Sequence, residues 1–148
     1  MIPYSRQSIN EQDIEEVIKV LRSDLITQGP INKKFEEEIC SYTGCKYSVV
    51  TNSATSALHL ACLALGLGPG DTLWTSPNSY VASANVGLLC NAEVDFVDID
   101  SKTYNMCVKA LDQKLRKADA DGKLPKIVMP VHFAGQSCDM ISIKKLAE

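Results

Sequence analysis

The chain has 148 residues, 45% hydrophobic and 22% charged, with a formal net charge of −3. That length buries about two-thirds of the unfolded surface in one core, and the slight acidity excludes nucleic acid or an anionic membrane as the main partner, since Lys33-Lys34 and Lys144-Lys145 are isolated basic pairs. No run approaches the roughly 18 apolar residues of a membrane helix, and Met1 to Gln7 lacks the apolar core of an export signal, so a cytoplasmic location is expected.

In chain order, Asn10 to Asp24 carries Ile14, Val17, Ile18 and Leu21 at helical spacing with acidic residues in its first turn, which predicts an amphipathic helix. Leu25 to Pro30 reads as a loop, and a second helix runs through Phe35, Glu36, Ile39 and Tyr42 to stop at Gly44. The apolar run Tyr47-Ser48-Val49-Val50 predicts a strand, followed by a tight turn and a helix through Ala57 to Leu65. Gly66 to Asp71 turns the chain. Short strands are then expected at Thr72–Thr75, Glu93–Asp98 and Lys126–Val131, alternating with helices at Tyr80–Cys90, Leu111–Ala120 and from Ile141 onward. Alternation of this kind demands crossover connections, hence an α/β fold with a mostly parallel sheet and helices on both faces. The last residues stop within an amphipathic pattern, with neither cap nor glycine, and read as a chain cut short. The six cysteines read as buried free thiols. Cys62 and Cys90 fall in apolar helical contexts, and Cys40 and Cys45 lack C-x-x-C spacing.

Asn52-Ser53-Ala54-Thr55-Ser56 is the most informative turn. It joins a strand pattern to a helix, so the first backbone N–H groups of the helix lack partners and the helix dipole favours an anion there. Small side chains at Ser53, Ala54 and Ser56 allow a phosphate to approach the backbone, and the Thr55 and Ser56 hydroxyls add donors. The same residues equally suit a plain N-cap at Ser53 or Thr55. Ligands of open α/β sheets bind beyond the carboxyl ends of the strands. Residues 76–80 and 132–136 also reach that edge, bringing Tyr80, His132 and Gln136. Tyr80 suits either a flat ring or packing within its own domain. His59, inside an apolar helix, reads as structural.

No G-x-G-x-x-G follows a strand and no P-loop occurs, which disfavours dinucleotide and nucleoside-triphosphate binding. Asp98-Ile99-Asp100 resembles the D-x-D of metal-dependent glycosyltransferases, but without a third ligand it reads as a strand-end turn.

Taken together, Thr27-Gln28-Gly29-Pro30, Phe35-Glu36, Asn52 to Leu60, Leu65 to Asp71, Val97-Asp98-Ile99-Asp100 and Pro130-Val131-His132-Phe133-Ala134-Gly135-Gln136 resemble the N-terminal part of the DegT/DnrJ/EryC1/StrS sugar aminotransferases. A narrower similarity, to members acting in pseudaminic acid biosynthesis, rests on Ile2 to Gln7 and Gly122 to Lys126. The resemblance implies a fold-type-I large domain that binds pyridoxal 5′-phosphate (PLP), with residues 1–45 as an N-terminal helical segment and 46–148 as the first part of that domain. It places the cofactor phosphate on Ala54, Thr55 and Ser56 and stacks Tyr80 on the pyridine ring. Tyr4, Asp24, Leu25, Ile26, Thr27 and Ala54 would border a UDP-sugar. The implied amino donor is glutamate, the acceptor the C4 ketone of a UDP-linked 4-keto-6-deoxy sugar, and the assembly a homodimer. The family's cofactor-binding lysine and the aspartate that pairs with the pyridine nitrogen match nothing here and are expected further along, so this segment alone should not transaminate. Three rival readings remain: a metal-dependent glycosyltransferase using Asp98 and Asp100, a non-catalytic PLP-fold binding or regulatory module, and an inactive fragment.

Overall fold

The computed structural model describes residues 5–148, so Tyr4 and the opening Ile2-Pro3-Tyr4 lie outside the described residues. The chain divides into two compact units, Met1–Val50 and Thr51–Glu148.

The first unit holds two helices. In α1 (Glu11–Leu21), Asn10 Oδ1 accepts from the Asp13 N–H at 3.1 Å while Asp13 Oδ2 accepts from the Asn10 N–H at 2.9 Å. This reciprocal box satisfies two donors that a helix start leaves open. None of the α1 residues is buried, and its apolar stripe of Ile14, Val17, Ile18 and Leu21 stays exposed. Helix α2 (Pro30–Thr43) begins with Pro30, whose fixed φ suits the first turn, and ends at Gly44 in the left-handed conformation (φ 74°). The predicted strand at Tyr47–Val50 does not form. Among the described residues no neighbouring strand offers it a ladder, and the Val50 N–H donates instead to the Glu36 carboxylate at 2.9 Å.

The second unit is the predicted α/β layer structure. Its elements are α3 (Ala54–Ala64), β1 (Thr72–Thr75), α4 (Ala82–Leu89), β2 (Glu93–Phe96), α5 (Val108–Ala120), β3 (Ile127–Met129), one 3-10 turn (Phe133–Gly135) and α6 (Met140–Ala147). The strands form a parallel sheet in the order β2-β1-β3, with Leu73 opposite Val94 and Ile127, and Trp74 opposite Asp95 and Val128. Because side chains alternate along a strand, β1 feeds two cores. Leu73 joins Cys62, Leu67, Val86, Cys90 and Ala92 beneath α3 and α4. Trp74 joins Val97, Met106, Leu111, Ala118, Cys138 and Ile143 beneath α5 and α6. Lys114 of α5 lies over the Trp74 ring at 4.7 Å and pairs with Asp95 at 2.6 Å. Helix α4 starts two residues later than predicted, leaving Tyr80 outside it. The thiols are all free, but Cys45 is exposed and Cys40 and Cys107 are half-buried, so only Cys62, Cys90 and Cys138 fit the expectation of burial.

Helix α4 comes unusually close to the sheet at Gly87, where a Cβ would stand 2.6 Å from Val94 Cγ2. Overpacking of this kind costs about 1–3 kcal/mol. We expect Gly87→Val to destabilise the protein by about 3 kcal/mol in urea unfolding, with Val94→Ala on the same chain recovering part of the loss.

Asp139 caps α6, accepting the Ser142 hydroxyl at 2.7 Å and the Ser142 N–H at 3.0 Å. The hydroxyl bond first, then the backbone bond, hold this carboxyl below the ordinary aspartate range. A depressed folded-state pKa contributes stability above the unfolded value, lost as pH falls through the folded one. Melting curves recorded from about pH 6 down to about pH 3 should therefore fall more steeply for the parent than for Asp139→Asn, the difference opening below about pH 4.

Candidate functional site at the carboxyl edge of the sheet

The three parallel strands end at one edge, where the Thr75 hydroxyl donates to the Met129 carbonyl at 3.0 Å and ties β1 to β3. After β1 the chain passes to α4 on one face, and after β3 it passes to α6 on the other. Adjacent strands whose connections leave to opposite faces open a crevice between their carboxyl ends, the usual ligand position in such sheets. Residues 76–80 leave β1 there and residues 130–136 leave β3.

Helix α3 packs on the face of the sheet that also carries α4, and the chain turns at Gly66–Asp71 before entering β1. Ser53 is the N-cap: its Oγ accepts from the Ser56 N–H at 3.2 Å, and the Ser56 hydroxyl donates to Asn52 Oδ1 at 2.8 Å. The Ser56 N–H is therefore already engaged, whereas the Ala54 and Thr55 N–H groups have no hydrogen-bond partner among the described residues. No acidic residue occupies this turn. Two open amides, a neighbouring Thr55 hydroxyl and the positive end of a helix dipole fit a phosphate. Tyr80 is 78% exposed.

The third loop is held by a residue that the sequence did not single out. Asn105 is buried, its amide donates to the Gln136 and Ser137 carbonyls at 3.1 and 3.2 Å, and its Oδ1 accepts from the Phe133 N–H at 2.9 Å. A lone asparagine in a polar loop carries no pattern that would announce this. Within the loop, Ala134 and Gly135 take consecutive left-handed conformations (φ 52° and 83°). His132 Nδ1 accepts from the Cys138 N–H at 3.0 Å, which places the proton of the neutral ring on Nε2. No lysine lies in any of the three turns.

Asp100 is occupied by its own turn. Its Oδ1 accepts from the Thr103 N–H, the Lys102 N–H and the Thr103 hydroxyl at 2.9, 3.0 and 3.2 Å, bonds that lower its pKa. Asp98 Oδ1 accepts from the Ile99 N–H at 2.8 Å. Among the described residues no group of three or more His, Cys, Asp and Glu could hold a metal ion.

Asp24, Leu25, Ile26 and Thr27 form the exposed connection between α1 and α2 in the first unit. Leu25 and Ile26 help line a cavity of about 240 Å³ with Val20, Gly29, Pro30 and Ile31.

A parallel sheet with helices on both faces is the architecture of part of a fold-type-I transferase large domain. The chain belongs to the DegT/DnrJ/EryC1/StrS aminotransferase family, which it matches over residues 7–148. It is 39% identical to the spore coat polysaccharide biosynthesis protein SpsC of Bacillus subtilis, over 99% of this chain and 36% of that protein. A putative sugar aminotransferase of Streptococcus pneumoniae, Spr1654, solved in PLP, PMP and apo forms, has a TM-score of 0.86 at 35% identity, over 98% of this chain. Helicobacter pylori PseC, an aminotransferase in pseudaminic acid biosynthesis, has a TM-score of 0.87 at 31% identity and covers 98% of this chain. The chain spans 36% of the length of SpsC and 38% of that of the PseC chain.

Proposed function

We propose that these residues form the phosphate-binding part of a PLP-dependent sugar aminotransferase. In this reading the enzyme moves an amino group from glutamate to the C4 ketone of a UDP-linked 4-keto-6-deoxy sugar. The observation that carries it is the first turn of α3, with its open Ala54 and Thr55 amides, within a family match covering nearly the whole chain. Bound there, PLP supplies the electron sink that lets an amino group pass between an amino acid and a ketone. Ala54 and Thr55 grip its phosphate, Ser56 joins them if its N–H leaves Ser53, and Tyr80 covers one face of the ring. Fixing the phosphate positions the ring, so that binding energy from a group remote from the reacting atoms serves orientation. We assign Tyr4, Asp24, Leu25, Ile26, Thr27 and Ala54 to the border of the UDP-sugar, and residues 46–148 to the first part of the large domain. The working form would be a cytoplasmic homodimer, and the similarity to PseC supports a role in pseudaminic acid biosynthesis.

The lysine and aspartate that such chemistry requires have no counterpart in the three turns. The 148-residue polypeptide should accordingly bind PLP without turnover. Borohydride treatment should leave no lysine stoichiometrically labelled, and one fully modified lysine would overturn this. The deciding experiment reads the source DNA past codon 148 and assays the product. An open frame whose product converts glutamate to 2-oxoglutarate and a UDP-4-keto-6-deoxy sugar to its 4-amino derivative supports the proposal. A complete protein that transfers nitrogen to no nucleotide-linked keto-sugar refutes it.

A further inference from the structure

The first unit carries a thiol pair that the aminotransferase reading does not use. Cys40 sits in the last turn of α2, and Cys45 follows Gly44, whose left-handed conformation folds the chain back over the helix end. The Gly44 N–H donates to the Cys40 carbonyl at 2.9 Å, and the two Sγ atoms stand 3.8 Å apart. Cys45 is exposed and Cys40 half-buried, so an oxidant can reach the pair. The Thr43 hydroxyl lies 3.1 Å from Cys45 Sγ and 2.7 Å from the Ile39 carbonyl. Having one hydrogen, it can serve the carbonyl while Cys45 is a thiol and turn to the sulfur once that is a thiolate.

We infer that Cys40 and Cys45 form a reversible dithiol–disulfide site that exchanges with low-molecular-weight disulfides across the C-terminal turn of α2. The two sulfurs divide the work. The Thr43 hydroxyl, as a hydrogen-bond donor, most favours the Cys45 thiolate; burial opposes it, and the Cys40 bond and local backbone N–H groups add to the lowering. Burial, the bond to Cys45 and the nearby charges of Glu36 and Glu37 hold the Cys40 proton on. Cys45 is thus the attacking thiolate and Cys40 the resolving thiol.

In the first step the Cys45 thiolate displaces one thiolate from the disulfide RSSR, which takes up a proton as RSH and leaves a mixed disulfide on Cys45. Cys40 then gives its proton to solvent, and its sulfur attacks Cys45 Sγ, releasing the second RS⁻, which is protonated in turn. Both cysteines are oxidised and RSSR is reduced to two RSH. Closure needs the sulfurs to approach from 3.8 Å to about 2 Å, within reach of side-chain rotation in a turn already pinned by the Gly44–Cys40 bond.

The test equilibrates the folded protein in buffers of reduced and oxidised glutathione, alkylates the remaining thiols and maps peptides by mass spectrometry. The expected result is one intramolecular Cys40–Cys45 link with loss of two hydrogens, reopened by excess reduced glutathione. Cys40→Ser should accumulate glutathione on Cys45, Cys45→Ser should leave Cys40 reduced, and Thr43→Val should slow alkylation of Cys45 several-fold. Full alkylation of both thiols across the whole redox range overturns the inference, as does oxidation that links either cysteine to another chain.

Discussion

Replacing Ser53 with aspartate is expected to weaken PLP binding about 100-fold while leaving the melting temperature within about 1 °C of the parent. The two effects separate because Ser53 is a cap beside the proposed site and not itself a phosphate ligand. Aspartate caps a helix as well as serine does, so the bond that Ser53 Oγ accepts from the Ser56 N–H survives the exchange. The new carboxylate, however, stands beside the open Ala54 and Thr55 amides that would take a dianionic phosphate. At an effective dielectric near 20, two like unit charges about 5 Å apart repel by about 3 kcal/mol, enough for the predicted loss after some screening. Pyridoxine phosphate is the cleaner ligand for the titration, since it lacks the aldehyde and cannot react with lysine. On the same probe Thr55→Ala should cost about tenfold, the value of one hydrogen bond to a charged group. Unchanged affinity in Ser53→Asp would move the phosphate away from α3.

The second large effect is structural. Asn105→Leu should lower stability by about 3 kcal/mol, seen as a fall of roughly 10 °C in melting temperature. The side chain is 4% exposed and all its hydrogen-bonding capacity toward Phe133, Gln136 and Ser137 is used. Leucine fills similar space but strands one N–H and two carbonyls, at about 1–3 kcal/mol for each that water cannot reach. Asn105→Asp keeps the acceptor for the Phe133 N–H and loses both donations, so it should fall between leucine and the parent. Circular dichroism melts of the three proteins decide this.

The sequence carried the layer structure of the second unit because its elements announce themselves locally. The Ser53 cap opens α3, glycines close it and turn the chain into β1, and short apolar runs mark the strands. Tyr47–Val50 misled for a physical reason: apolar β-branched composition permits a strand, but a ladder needs a partner, and among the described residues the Val50 N–H donates to Glu36 instead. The site was half legible. A helix start follows from small hydroxyl residues, and the turn residues Tyr80, His132 and Gln136 from the strand ends. That Ser53 occupies the Ser56 N–H, leaving Ala54 and Thr55 open, depends on one rotamer and has no sequence signature. Asn105 was invisible because its partners lie 28 to 32 residues away. Cys40 and Cys45 were set aside for their spacing, although the left-handed Gly44 brings residues five apart into proximity.

The central position of β1 also bears on how the chain is made. The strand at the middle of the sheet is the first of the three to leave the ribosome, and its partner on the β3 side follows 54 residues later, the separation of the Thr75–Met129 bond. At ordinary synthesis rates that interval is roughly 3–10 s, during which β1 offers an open edge and the apolar Leu73 and Trp74 on either face. Nascent chains shorter than about 130 residues, plus those hidden in the exit tunnel, should therefore be the ones that engage a chaperone most strongly.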